Sequence, residues 1–311
     1  MRAAVFPELG TAPEVRDDLS VPEPAEGEVR VRVHAASVNG FDLAVANGYL
    51  TGMMEHRFPV VLGKDFAGTV DAIGPGVEGY AHGDRVFGVV TKAFLGDGSF
   101  GELVTVPVAI GVAPLPDAVS FADGAAVGLA GTAASDAVAA AHLSAGQTVL
   151  IAGATGGVGG YAVQLAAAAG ATVIATAHTE QETVLVTGLG AAQVVDHTGD
   201  VASQVRSGHP DGVDVVIHLA GDPAALLATV RDGGRFVSTL IGTPDQVPST
   251  TVTVVPVYAT PTGEVLGALA AAVADGRLRV SIDSVFPLAE MPDALAHFTS
   301  GTRGKVVITI V

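Results

Sequence analysis

Between Val149 and Glu182 the chain reads VLIAGATGGVGGYAVQLAAAAGATVIATAHTEQE, with five glycines inside the eight positions Gly153–Gly160 and no ionisable acid or base except Tyr161 before His178. No other run constrains the fold as strongly. The preceding TVLIA is apolar almost throughout, as in a strand covered on both faces. Beyond the glycines, Val158, Tyr161, Ala162 and Leu165 recur at helical spacing. Gly170 closes that helix and ATVIATA supplies a second strand. The sequence therefore predicts a βαβ unit with Gly153, Thr155, Gly156, Gly157, Val158 and Gly159 at its first junction. Glycines at such a junction permit a tight turn, let backbone approach a diphosphate, and seat the helix close to the sheet. The unpaired amides and positive dipole end of the helix then favour the negative charge. A lone G-x-x-G-x-x-G also suits a plain tight turn, but strand, loop, helix and strand in register point to a dinucleotide.

The adenine-side ribose is read less clearly. The second strand ends at Ala177, and His178, Thr179 and Glu180 follow. An acid there grips ribose hydroxyls and repels a 2′-phosphate. Against this, Thr179-Glu-Gln-Glu182 has the pattern of a capping box, which assigns the acids to the next helix start. His178 and Thr179 are also able to bond a phosphate. Both NADP(H) and NAD(H) stay open on these residues.

Around this unit the texture changes twice. Up to residue 121 the chain alternates short β-type runs with turns: EVRVRVHAASV (28–38), GTVDAIG (68–74), DRVFGVV (84–90), GELVTVPV (101–108). From residue 122 helical stretches alternate with apolar strands, including DVVIHLAG (214–221) and GRFVSTLIG (234–242), as in a parallel sheet covered on both sides. The expected domains are a mainly β domain over 1–121, a dinucleotide-binding domain over 122–276, and a return to the first over 277–311. The chain has no cysteine, which excludes disulfides and thiolate metal sites. A net charge of −17 argues against nucleic acid or an anionic membrane as partner. The amino end lacks a secretory pattern, and the apolar stretch 137–179 is too broken by Gly, His and Gln to span a bilayer, so a cytoplasmic protein is expected.

Six stretches carry a family resemblance: VRVHAASVNGFDLAVANGYL (31–50), FPVVLGKDFAGTVDAIGPGV (58–77), GDRVFG (83–88), PLPDAVSFADGAA (114–126), AGQTVLIAGATGGVG (145–159) and GTRGKVVITIV (301–311). In order and separation they resemble the zinc-independent quinone oxidoreductases of the medium-chain dehydrogenase/reductase superfamily. The resemblance implies an α/β fold: a Rossmann doubly wound parallel sheet plus a GroES-like, mainly β catalytic domain, with a coenzyme cleft between them. It implies NADP(H) as coenzyme, with NAD(H) possible, a small quinone or enone substrate, and a homodimer paired through TVTVVPVYA (251–259). Asn39 stands where zinc-dependent relatives have a cysteine, and Lys64-Asp65 replace their His-Glu. No zinc or other metal is expected. Ala134-Ser135 replace the family's usual aromatic near Gly131-Thr132, which suggests a roomier substrate pocket.

The chemistry agrees with this substrate class. Hydride added to a quinone or α,β-unsaturated carbonyl gives a delocalised phenolate or enolate, which hydrogen-bond donors and one proton stabilise without a Lewis acid. Asn39 is a candidate to orient the nicotinamide or bind a substrate oxygen, although a turn Asn before Gly40 is nearly as good a reading. Tyr49 is a candidate proton donor or substrate cover, with a packed loop aromatic as the plainer alternative. Lys64 is a candidate proton donor, with a structural Lys64–Asp65 ion pair as the plainer reading. Leu219, Ala220 and Gly221, then Leu240, Ile241 and Gly242, end the fourth and fifth strands and are expected along the coenzyme. Two rivals stand beside the quinone or enone reductase: an enoyl reductase acting on thioester or biosynthetic intermediates, and a non-catalytic nucleotide-binding redox sensor.

Overall fold

A computed structural model of the chain describes residues 1–310. It forms two compact units, Ala130–Thr260 and the remainder, Met1–Leu129 together with the chain from Pro261 onward. These edges differ from the texture changes in the sequence at two helices. The first edge falls inside Phe121–Ala141, and Gly263–Ala274 packs on the strand Val112–Pro114 of the larger unit.

The smaller unit is built on one six-stranded sheet. Its strands lie in the order Gln193–Val195, Thr172–Thr176, Thr148–Ala152, Val213–His218, Val230–Ser238, Thr253–Pro256. Every neighbouring pair is parallel. In chain order this is 3-2-1-4-5-6, the Rossmann arrangement, whose direction of winding reverses between Thr148–Ala152 and Val213–His218. Residues such as Leu150, Ile174, Val216 and Phe236 are fully buried, which is why these strands read as continuous apolar runs.

The larger unit is mainly β. Its seven-stranded sheet is centred on Glu28–Ser37, which pairs with Asp65–Ile73, Leu103–Pro107 and the closing strand Lys305–Thr309. The pairing Val307↔Ser37 places Lys305 and Val306 beside the residues that follow Ser37. A second sheet of four strands includes Ala3–Phe6 and Glu55–Val61. Phe66, Phe100, Val31 and Ile308 share the core, each buried aliphatic or aromatic side chain stabilising by roughly 1.5–3 kcal/mol.

Among the described residues one helix, Phe121–Ala141, is long and apolar enough to cross a membrane, and 61% of its apolar window is buried in the protein. That burial is the placement of a core helix.

Candidate functional site

The strand Thr148–Ala152 runs into Gly153, whose φ of +86° is one that a side chain rarely tolerates. The helix Gly157–Ala168 begins behind it, with Gly156 as a cap that offers no side-chain hydrogen bond. A Cβ on Gly159 would lie 2.1 Å from the Gly153 carbonyl oxygen, so glycine there lets the helix sit down on the loop. Gly156 is different. Its backbone, φ −74° and ψ 175°, suits any residue, and a Cβ would meet nothing closer than 3.5 Å. Among the described residues nothing requires a bare position here. Thr155, Gly156, Gly157 and Val158 are half-buried around this open space. Thr176, at the end of the second strand, fixes the loop from below: its Oγ1 accepts from the Gly153 amide at 2.9 Å.

The structure brings one of the expected strand-end loops to this turn. A Cβ on Gly153 would lie 3.0 Å from the Ala220 Cβ and 3.2 Å from the Leu219 carbonyl carbon, which puts Leu219 and Ala220 beside Gly153, with Gly221 next in the chain. Leu240, Ile241 and Gly242 follow the adjacent strand, and the Tyr258 hydroxyl donates to the Gly242 carbonyl at 3.0 Å. At the end of the second strand the capping box is formed. Thr179 accepts from the Glu182 amide at 3.2 Å, and the Glu182 carboxylate accepts from the His178 and Thr179 amides at 2.7 and 3.0 Å. Those two amides hold the Glu182 carboxyl below its ordinary value against the opposing effect of burial. The His178 ring bonds Asp196 at 3.0 Å, leaving Glu180 exposed and outside the cap bonds. No Lys or Arg occurs from Ala93 to Val205.

In the larger unit Asn39 precedes the helix Gly40–Ala46 and is only 7% exposed. Its amide is committed at both ends: Nδ2 donates to Asp65 Oδ2 at 2.8 Å, and Oδ1 accepts from Lys305 Nζ at 2.6 Å. Asp65 is fully buried and also accepts from Ser37 Oγ at 2.5 Å and from the Leu129 amide at 2.6 Å. Lys305 Nζ completes the set, 3.4 Å from Asp65 Oδ2 and 3.0 Å from the Val38 carbonyl. Burial holds its ammonium below the ordinary lysine value despite the carboxylates beside it. Asp42, on the first turn of the helix, accepts from the Asn39 and Gly63 amides at 2.9 and 3.2 Å. Burial pushes its carboxyl up to about 7.

The suggested Lys64–Asp65 pair is not formed. Asp65 opens a strand and pairs with Lys305, whereas the Lys64 ammonium donates to the Val90 carbonyl and lies 4.9 Å from the Phe41 ring centre. Neighbours in extended chain project to opposite sides, so adjacency in sequence separated them. Burial lowers the Lys64 pKa. Tyr49 is 74% exposed.

Residues 25–117 match the family described as alcohol dehydrogenase GroES-like domain, and residues 189–308 the family described as zinc-binding dehydrogenase. A quinone oxidoreductase of Sus scrofa is 32% identical over 315 residues, spanning 96% of this chain and 93% of that protein. The chain belongs to the quinone oxidoreductase family of the medium-chain dehydrogenase/reductase superfamily. The solved quinone oxidoreductase of Coxiella burnetii shares the fold of this family member with a TM-score of 0.87 and 27% identity, over 100% of this chain and 99% of that one. A mycocerosic acid synthase-like polyketide synthase of Mycolicibacterium smegmatis is 39% identical over 219 residues, 69% of this chain. The chain spans only 10% of that much longer protein.

Within this quinone oxidoreductase-family chain, sequence reading missed Ser37, Asp42, Thr176, His218 and Lys305. Only Lys305 left a signal: a charge opening an otherwise apolar strand, KVVIT, whose first four residues are all buried.

Proposed function

We propose that this chain is a reductase that takes hydride from a nicotinamide dinucleotide and delivers it to a quinone or an α,β-unsaturated carbonyl without a metal. The observation that carries this reading is Gly156: an unfilled position at a helix start, on the loop where the Rossmann sheet reverses direction. When bound, the coenzyme supplies the hydride. The amides of Gly157, Val158 and Gly159 are suited to its diphosphate, and Thr176 keeps their loop in place. His178 and Thr179 are the candidates at the adenine-side ribose. Family resemblance favours NADP(H), yet with Glu180 exposed and no Lys or Arg in the whole segment, NAD(H) suits the same surface.

Delocalised charge on the reduced substrate asks only for hydrogen bonds and one proton. Lys64, its ammonium already eased toward neutrality by burial, is the proposed donor. Asn39, whose Nδ2 is taken by Asp65 and the Ser37 carbonyl, is the proposed orienting amide through the lone pair that Lys305 leaves free on Oδ1, and Tyr49 is the proposed cover. The donor set does not suit zinc. The chain has no thiolate, and the Lys305 ammonium already stands against Asn39 and Asp65, where a dication would meet like charge. The one-sided edge strand Thr253–Pro256 supports a homodimer by sheet continuation.

The polyketide synthase similarity favours a second reading, reduction of enoyl thioesters. Parallel titration with NADH and NADPH, then turnover on quinones, enones and enoyl thioesters with the better coenzyme, separates the cases. Turnover on quinones or enones supports the first reading and preference for thioesters the second. Binding without turnover on any of them supports a sensor and overturns both.

A further inference from the structure

His218 ends the fourth strand of the Rossmann sheet, 2% exposed and with the Phe236 ring 5.3 Å away. Both ring nitrogens are engaged. Nε2 lies 3.1 Å from the Gly221 carbonyl oxygen, and Nδ1 lies 2.8 Å from the Ser238 hydroxyl. A carbonyl only accepts, so in the neutral ring Nε2 carries the proton and Nδ1 must accept. Ser238 therefore donates to Nδ1, which frees its oxygen to accept from the Leu240 amide at 3.0 Å. Three hydrogen bonds in series thus connect the Leu219–Gly221 turn to the Leu240–Gly242 turn. An imidazolium disrupts this series. Nδ1–H would meet the Ser238 hydroxyl proton head-on, so the hydroxyl must turn, its oxygen then accepting from both Nδ1–H and the Leu240 amide while its own proton loses the acceptor it now has.

We propose that His218 is a positioning residue: its neutral Nε2–H form holds the two strand-end turns in the arrangement that binds coenzyme, and protonation releases it. This rests on the coenzyme reading above. The direction follows from the same bonds. Burial keeps His218 below the ordinary histidine value, against the Gly221 carbonyl and the charged neighbour Asp222, both of which favour protonation. Coenzyme affinity is full where the ring is neutral and falls as pH drops through its titration.

The test is coenzyme affinity by NAD(P)H fluorescence from about pH 5 to 8, with ring-nitrogen NMR of the free wild-type protein. H218N, S238A and S238T are compared with wild type. Wild type is expected to weaken roughly tenfold toward acid, with the NMR showing Nε2–H and an acid-shifted titration. H218N and S238A are expected to bind roughly tenfold more weakly at neutral pH, H218N without the acid-side loss, while S238T keeps the hydroxyl and the wild-type profile. If H218N does not fold, the wild-type profile, the NMR and the serine pair decide. A flat wild-type profile through the ring's titration, the opposite tautomer, or S238A matching wild type overturns the inference alone. Absence of coenzyme binding by wild type at any pH overturns the coenzyme reading and this inference with it.

Discussion

Replacing Lys305 by Met tests whether the polar cluster of the larger unit is held together by a buried ion pair. Methionine keeps an unbranched chain of similar reach and removes the ammonium. Asp65 then keeps Ser37, Asn39 and the Leu129 amide as donors but has no countercharge, while Asn39 Oδ1 and the Val38 carbonyl each lose a donor. At the observed 3.4 Å, Coulomb's law with an effective dielectric of about 20 gives roughly 5 kcal/mol for the lost attraction. Relief of the buried ammonium's own desolvation offsets part of it, so the net loss is expected near the about 3–5 kcal/mol typical of a broken buried pair. The assay is urea unfolding followed by both circular dichroism and tyrosine fluorescence, since two units need not unfold as one. D65N/K305M removes both charges and should recover about 1–3 kcal/mol relative to the sum of the single changes. A K305M loss below about 1 kcal/mol, or strict additivity in the double variant, would refute the reasoning.

Asp42 gives a pH signature of opposite sign to an ordinary paired carboxylate. Its carboxyl sits at about 7 rather than 3.8 because the charged form is buried, so the native state favours the protonated acid. Its contribution is complete below 3.8 and is lost as pH rises through about 7, by an upper bound of about 4 kcal/mol. D42N should remove that slope, and urea midpoints for the two proteins that run parallel from about pH 4 to 8 would contradict it. For assembly, light scattering behind gel filtration at micromolar concentration should give about twice the 30.9 kDa chain mass, and a monomer mass there ends the edge-strand proposal.

What could be read from sequence follows from range. The glycine loop and the central parallel strands are local patterns, because a strand covered on both faces must be apolar along its length and a tight strand–helix turn must carry glycine close by. Gly153 and Gly159 answer to the protein's own sterics, and Gly156 stands apart only once the space around it is known. The cluster around Asn39 is long-range: Lys305 lies 240 positions from Asp65 and 266 from Asn39, so only strand pairing brings it there. Lys64, the neighbour in sequence, is the wrong partner for the same geometric reason. Thr176 and His218 look like ordinary strand-end residues until their hydrogen bonds to the adjacent turns are seen.

The most direct measurement is coenzyme titration of wild type and G156D, with thermal melting of both. Asp is a favoured helix cap and its charge suits the helix start, so in the free protein the substitution should leave the melting temperature unchanged or raise it slightly. The same carboxylate would occupy the open space and repel a diphosphate. The account predicts coenzyme affinity lower by about a hundredfold or more, roughly 2.7 kcal/mol, in a protein at least as stable as wild type. Equal affinity in the two proteins, or no binding of NADH or NADPH by wild type, would contradict it.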